Sequence, residues 1–419
     1  VSASPASAHV WLSPPAESGI ALPPPAITGI VVAVSLTAMI LIGYVGSAGT
    51  IVFVASWTLL AIAYGRATVH LLASGPKFLW LFPALALLST VWSRAPIETL
   101  RFALELVVTV GCTVLAARLL RPTQLLIALT VALVATAAVS VLLGREMVDP
   151  LTGQTVFEGV FTSKNQLGFF ASLMLLAALS LTIDARQPLP ARLLGVGAGL
   201  LSLPLVYLSR SATSLASVTL AAAVLVLGLL LSRHGRFGRA RILCAGLIML
   251  VLVAIPILAA GSEVGALFLR ILGKNTTLSG RTMLWQYAAA VIAQRPVFGT
   301  GFQAFWLHDS VDAESLWRWF HVESRTGFHF HNTFIEATVE LGYPGAVLLA
   351  VTMLAILVGT IGWSWREGSV AAAFFVAVLC CLLVRAMAEV DALQQFQIGT
   401  FILYAAGTYA AMKPRDGPR

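Results

Sequence analysis

The chain is 419 residues long, 58% hydrophobic and 11% charged, with a mean hydropathy of +0.91 and a formal net charge of +8. A soluble domain carries about 25% charged residues, and no water-soluble fold could hide this much apolar surface, so the composition excludes a soluble enzyme and requires an integral membrane protein. The apolar runs are continuous rather than alternating, which selects an all-α polytopic protein over a barrel, and the positive charge reads as basic cytoplasmic loops and anionic partners, with no nucleic acid expected.

Residues 1–26 are rich in Ser, Ala and Pro and contain no Lys or Arg, so they lack the basic start of a signal peptide and read as a short disordered tail. A transmembrane helix needs roughly 20 apolar residues. On that measure about twelve spans are expected, near 27–45, 48–64, 77–93, 100–117, 123–143, 165–183, 191–208, 212–232, 241–260, 331–361, 369–390 and 394–412. The chain then divides into nine helices within 27–260, one large outer loop at 261–330, three helices within 331–412 and a cytoplasmic tail at 413–419. With the N-terminus inside, the inner connections and tail hold Arg66, Lys77, Arg118, Arg121, Arg186, Arg192, Arg233, Arg236, Arg239, Arg241, Arg366, Lys413, Arg415 and Arg419, more than half of the 26 Lys and Arg. Most of the 18 Asp and Glu fall on the opposite side, so the polar chemistry of the protein gathers on its external face. Cys112, Cys244, Cys380 and Cys381 all lie in apolar runs without metal-site spacing to a His, which speaks against disulfides and zinc.

Four outer connections carry unusual charges. Arg101 with Glu105, and Arg385 with Glu389, have the spacing of ion pairs that lock helices. Lys164 in "FTSKNQLG" and Arg210 in "YLSRSATSLAS" are basic residues against the positive-inside bias, read either as snorkelling side chains or as groups an external anion requires. In the long loop, Leu284, Ala288, Val291 and Ile292 make the apolar stripe of an amphipathic helix over 282–294 that Ser279 or Thr282 could cap, followed by a turn at Gly299 and Gly301 and a run of aromatics. That loop is either an interfacial anchor or a cap over a substrate cleft. Arg281 sits at the N-terminus of this helix, an end the dipole makes unfavourable for a cation. It is either a solvated loop arginine or part of an anion site shared with backbone N–H groups.

The stretch "GFHFHNTFIEATVELGYPG" places His329, His331 and Asn332 at the doorway of an apolar helix, with Asn332, Glu336 and Glu340 on one face. An imidazole at His331 can take a proton from a hydroxyl, whereas Thr333 and Glu336 could equally form a capping box beside merely interfacial histidines. A metal at His329 and His331 is disfavoured because no carboxylate or third His has matching local spacing.

Together, "SGRTMLWQYAAAVIAQRPVFGTGFQAFW", "HNTFIEATVELGYPG", "FTSKNQLG" and "LSRSATSL" resemble the O-antigen ligase/polymerase (Wzy-type) superfamily, most of all its exopolysaccharide-polymerase branch of the ExoQ type. The resemblance implies a GT-C-like, inverting glycosyltransferase that needs no metal or cofactor and uses an undecaprenyl-diphosphate-linked oligosaccharide at the periplasmic face of the bacterial inner membrane. Arg210 and Arg281 would bind the diphosphate and His331 would activate or position the acceptor hydroxyl. Lys164 and Asn165 match a family motif, and Asn332, Glu336 and Arg385 are further substrate-binding candidates. Expected partners are the lipid-linked donor, a glycan acceptor, the bilayer and other polysaccharide-assembly proteins. A ligase transferring the glycan to lipid A core or another acceptor, and more distantly a twelve-helix transporter or lipid-glycan flippase, stay open as alternatives.

Overall fold

A computed structural model of the chain describes residues 24–148, 155–233, 280–308, 310–322, 325 and 327–412. The N-terminal tail up to residue 23, the expected span at 241–260, Cys244, Ser279 and the 413–419 tail lie outside the described residues. Among the described residues fourteen α-helices run in chain order: α1 Pro25–Val45, α2 Ser47–Tyr64, α3 Arg66–Ala73, α4 Leu81–Leu88, α5 Pro96–Leu119, α6 Pro122–Leu143, α7 Lys164–Ile183, α8 Leu189–Leu208, α9 Ala212–Arg233, α10 Arg281–Gln294, α11 Val311–Trp319, α12 Thr333–Glu367, α13 Val370–Ala386 and α14 Ile398–Ala411. Eight of them are long and apolar enough to cross a membrane, nine if the bent segment at 66–91 counts as one span, and α13 and α14 are shorter apolar helices. The protein is thus a multi-pass helical membrane protein.

Local sequence explains the helix starts. Proline stands at the first turn of α1, α5, α6 and α8, where its missing N–H costs nothing. Ser163, Asn332 and Ser369 cap α7, α12 and α13 through side-chain oxygens. Two expectations need correction here. The 77–93 span is not a rod: two 3-10 turns flank α4, and the segment bends by 93° against α3. The connection after α6 also contains an antiparallel hairpin, β1 Arg145–Val148 with β2 Thr155–Gly159, which no alternation in the sequence had signalled.

Helices α5, α7, α13 and α14 supply most of the main core, and nearly every residue of α14 is buried. The outward faces of α1, α2 and α8 show Ile30, Ile51, Leu59, Leu200 and Leu203, the apolar surface a lipid-bathed helix requires. Cys112, Cys380 and Cys381 are free thiols.

The 331–361 region forms a broken helix rather than one long span. At Gly342 the backbone leaves helical geometry with φ 67° and ψ −177°, two residues before Pro344. Pro344 has no N–H, so the Glu340 carbonyl loses its helical partner. The segment 296–301 crosses at this point and repairs the ladder. Gly301 N–H donates to the Glu340 carbonyl at 2.8 Å, Thr300 N–H to Val339 at 2.9 Å, and Tyr343 N–H to the Pro296 carbonyl at 2.8 Å. The approach is so close that a Cβ at Gly299 (φ 66°) would run into the Glu340 carbonyl. Irregular backbone survives in a membrane protein only where other protein groups satisfy it in this way.

The outer loop has a small core of its own. Leu284, Ala288 and Val291, the predicted stripe, are buried with Phe305, Leu316, Phe330 and Val339, while Ile292 packs at the edge. The loop is pinned to the start of α5 as well: Arg94 pairs with Asp312 at 3.0 Å, Trp92 Nε1 donates to the Phe298 carbonyl at 2.7 Å, and Phe302 N–H donates to Ser89 Oγ at 3.1 Å.

Candidate active site

The motifs around Lys164 and Arg210 interlock at one end of the bundle. Asn165, in the first turn of α7, accepts from Ser211 Oγ at 2.8 Å through its side-chain oxygen and donates to Glu389 Oε1 at 2.7 Å through its amide nitrogen. Its backbone carbonyl accepts from Ser214 Oγ at 3.4 Å and from Arg385 Nη2 at 3.3 Å. The glycine of "KNQLG", Gly168, lies against Ser214 and Ser209, where a Cβ has no room. The starts of α7, α9 and α12 and the end of α13 therefore meet at one face, the side that the charge bias assigns to the exterior.

Glu389 is the centre of this face. Its side chain is only 5% exposed. Arg281 Nη2 donates to Oε1 at 2.7 Å, and His331 Nδ1 lies 3.3 Å from Oε2. Burial alone would raise the Glu389 carboxyl, but His331, Arg281 and His329 outweigh it and hold the group well below the usual carboxylate range. It is an anion, so the Nδ1 of His331 carries the proton of that contact and Nε2 of a neutral ring is left with a free lone pair. His331 itself has a left-handed backbone, φ 52°. Its N–H donates to His329 Nδ1 at 3.0 Å, the two rings stand 4.4 Å apart at 63°, and Phe328 meets His331 edge-on at 5.8 Å. Trp285 Nε1 ties the same loop down through the Phe330 carbonyl at 2.8 Å.

The predicted residues fall into two groups. Arg281 and His331 come together through Glu389, and Asn165 joins them. Arg210 sits exposed in the α8–α9 turn with φ 48°, beside Ser211, which reaches Asn165; Lys164 is half-buried at the start of α7. Asn332, Glu336 and Arg385 are instead engaged by the protein. Asn332 accepts the N–H groups of Phe334 and Ile335 and donates to the Met387 carbonyl at 3.3 Å. It, and not Thr333, caps α12, so the Thr333–Glu336 capping box does not form. Glu336 reaches back to the loop and takes Trp306 Nε1 and Phe330 N–H, both at 2.7 Å. The N-cap of α10 is Gly280 in a left-handed conformation with no side-chain cap, so Thr282 does not cap that helix.

The Arg385–Glu389 pair also fails to form, although Arg101–Glu105 does at 3.1 Å. Helix α13 stops at Ala386, and beyond it the chain turns so that Asp391 comes under the guanidinium. Arg385 donates from Nε to Asp391 Oδ2 at 2.6 Å and from Nη1 to Ser214 Oγ at 2.9 Å, and lies 4.5 Å over the Phe169 ring. Glu389 is thereby released to serve Arg281 and His331. It is the residue at the centre of this cluster that the sequence does not single out.

Comparison with known proteins identifies the family. The O-antigen ligase family model matches residues 197–350, the stretch that holds Arg210, Arg281 and His331. The exopolysaccharide production protein ExoQ of Rhizobium meliloti (strain 1021) is 36% identical over 343 residues, covering 78% of this chain and 76% of that protein. The chain belongs to the O-antigen ligase family. Membership implies glycosyl transfer from lipid-linked glycans at the bacterial inner membrane.

In this O-antigen ligase family member, one arrangement could suggest a metal. Ligand atoms of His329, His331 and Glu389 all lie within 4.8 Å of one another. The missing carboxylate thus exists, supplied from 58 residues beyond His331. The donor set nonetheless fits a divalent ion poorly. A guanidinium stands 2.7 Å from Glu389, Asn165 takes the same oxygen, and His329 Nδ1 already accepts the His331 N–H.

Proposed function

We propose that the protein is an inverting, metal-independent glycosyltransferase of the GT-C type that polymerises glycan repeat units from an undecaprenyl-diphosphate-linked donor at the periplasmic face, with about twelve spans and both termini in the cytoplasm. The observation that carries this reading is the shared carboxylate: Glu389 holds Arg281 by one oxygen and His331 by the other, so an anion-binding group and a proton acceptor are fixed in one frame. The similarity to an exopolysaccharide production protein supports polymerisation over ligation.

The reaction is a single displacement. The acceptor hydroxyl attacks the anomeric carbon of the donor, and its proton passes to Nε2 of His331. The bond from that carbon to the diphosphate oxygen breaks, and the lipid diphosphate leaves with the electron pair. Glu389, ionised on the other side of the ring, stabilises the imidazolium that forms. Arg281, with N–H groups beyond the one given to Glu389, and Arg210 take the charge growing on the leaving group. Arg fulfils this as a planar fork; Lys would supply only a point charge.

The deciding measurement is the product made by purified protein from lipid-linked donor alone. A ladder of repeat lengths, undiminished by EDTA, is the expected result. A single transfer that needs a second acceptor would make the protein a ligase, and movement of the lipid across the bilayer without new glycosidic bonds would make it a carrier. Chelator-sensitive turnover restored by added metal would remove the metal-free mechanism.

A further inference from the structure

The reaction above gives His329 no step, yet this residue is the one most intimately built around His331. His329 and His331 are two residues apart, and the His329 Nδ1 to His331 N–H bond of 3.0 Å closes a small ring between side chain and backbone. The same ring is made by Asn or Asp when a side-chain oxygen takes the N–H two residues on. It forms at a backbone of φ 52°, a left-handed conformation that residues other than glycine seldom keep without local hydrogen bonding. Because Nδ1 accepts, the proton of a neutral His329 ring lies on Nε2, which faces Glu389 Oε2 at 3.8 Å. The charged and titratable groups around His329 are His331 on its own loop, Glu389 after α13, Arg281 on α10 and Arg385 on α13. Burial outweighs the pull of Glu389 and lowers His329 to about 3.

We propose that His329 is a positioning residue for His331: its Nδ1 holds the left-handed backbone that presents the His331 ring to Glu389, and it stays neutral and takes no proton from the acceptor. This rests on the reading of His331 as the group that activates the acceptor hydroxyl. His329 acts on the rate through the ring it places, since a small displacement of a catalytic group costs large factors in rate.

The test compares the full-length variants His329→Ala, His329→Asn and His331→Ala with the parent protein, using the lipid-linked repeat unit as donor and measuring kcat, KM and the pH profile. His329→Ala should lower kcat roughly tenfold or more while the donor KM stays within about twofold. His329→Asn restores an acceptor for the N–H two residues on and should recover most of the rate. The acid limb of its pH profile should stay where the parent has it. A wild-type kcat in His329→Ala, an Asn variant as slow as the Ala variant, or loss of the acid limb in the Asn variant would each overturn the proposal, the last by making His329 the proton acceptor. Should the Ala variant fail to fold, the Asn variant alone decides through its rate and acid limb. His331→Ala separates the two levels. If it is inactive while His329→Ala is unimpaired, only the positioning role falls; if it is active, the reading of His331 falls as well.

Discussion

Two arginines stand on either side of Asn165, and the protein uses them differently. Arg385 is sealed inside the bundle, its side chain 1% exposed, with Asp391, Ser214, the Asn165 carbonyl and the Phe169 ring taking up the guanidinium from all sides. Arg281 is 15% exposed and holds Glu389, which it shares with Asn165 and His331. Both make short ion pairs, 2.6 Å and 2.7 Å, so distance does not distinguish them. What differs is the surroundings. A guanidinium whose donors end on protein ties α7, α9 and α13 together, and one that is partly exposed can share its donors with a ligand.

The largest test of that contrast is Arg385→Ala. It strips a buried carboxylate of its counter-charge and three helices of a common donor. Removing one partner of a buried pair costs about 3–5 kcal/mol, so the thermal midpoint in detergent should fall clearly and activity should vanish with the folded protein. Arg281→Lys should do the opposite. Its midpoint should stay close to that of the parent, while kcat falls by about 10²–10³-fold, the scale of losing one oriented donor at a developing anion. Full activity in the lysine variant would remove the bidentate role. Equal loss of stability in both variants would erase the difference between the two arginines.

The contrast also explains how much was legible beforehand. Arg281, His331 and Asn165 lie at helix starts, where the chain's local signals are strongest, and their motifs name them. Glu389 does not stand out because the i,i+4 rule that pairs it with Arg385 assumes a helix through both, and α13 ends at Ala386. Only the tertiary packing of α10 and the His329–His331 loop against that turn turns Glu389 toward them. The break at Gly342 had a local signal in "GYP", but the apolar run through it predicts a continuous rod. The repair by residues 296–301 is a contact across about forty residues that no periodicity encodes. Eight of the expected spans were legible because bilayer thickness imposes them on the sequence directly.

A smaller effect is expected at Gly299. Alanine there would have to adopt φ 66° and displace the Glu340 carbonyl, at a cost of about 1–3 kcal/mol for a strained backbone. The cost falls on the crossing of the loop with α12 and spares the bundle around Arg385. Hydrogen exchange should speed up over 296–304 and 336–343, with activity reduced and the thermal midpoint moved less than by Arg385→Ala. Unchanged exchange in that window would show that the loop does not depend on this crossing.

The smallest effect is a pH dependence confined to the Arg281 side. His329 is held to about 3 in the folded protein against about 6.5 for an ordinary imidazole, because burial disfavours its charged form. Between those values the unfolded chain binds a proton that the folded chain does not, so stability rises with pH and is lost as pH falls from about 6.5 toward 3, by at most about 1.4 kcal/mol per pH unit. Glu389 has the opposite history: its pKa is depressed on folding, so its contribution is present above the ordinary carboxylate value and is lost only in strong acid. The thermal midpoint of the parent protein should therefore decline between pH 7 and pH 5, and His329→Asn, which removes the titrating group, should flatten that decline. An identical slope in the variant would place the acid sensitivity elsewhere and deny His329 its buried, neutral state.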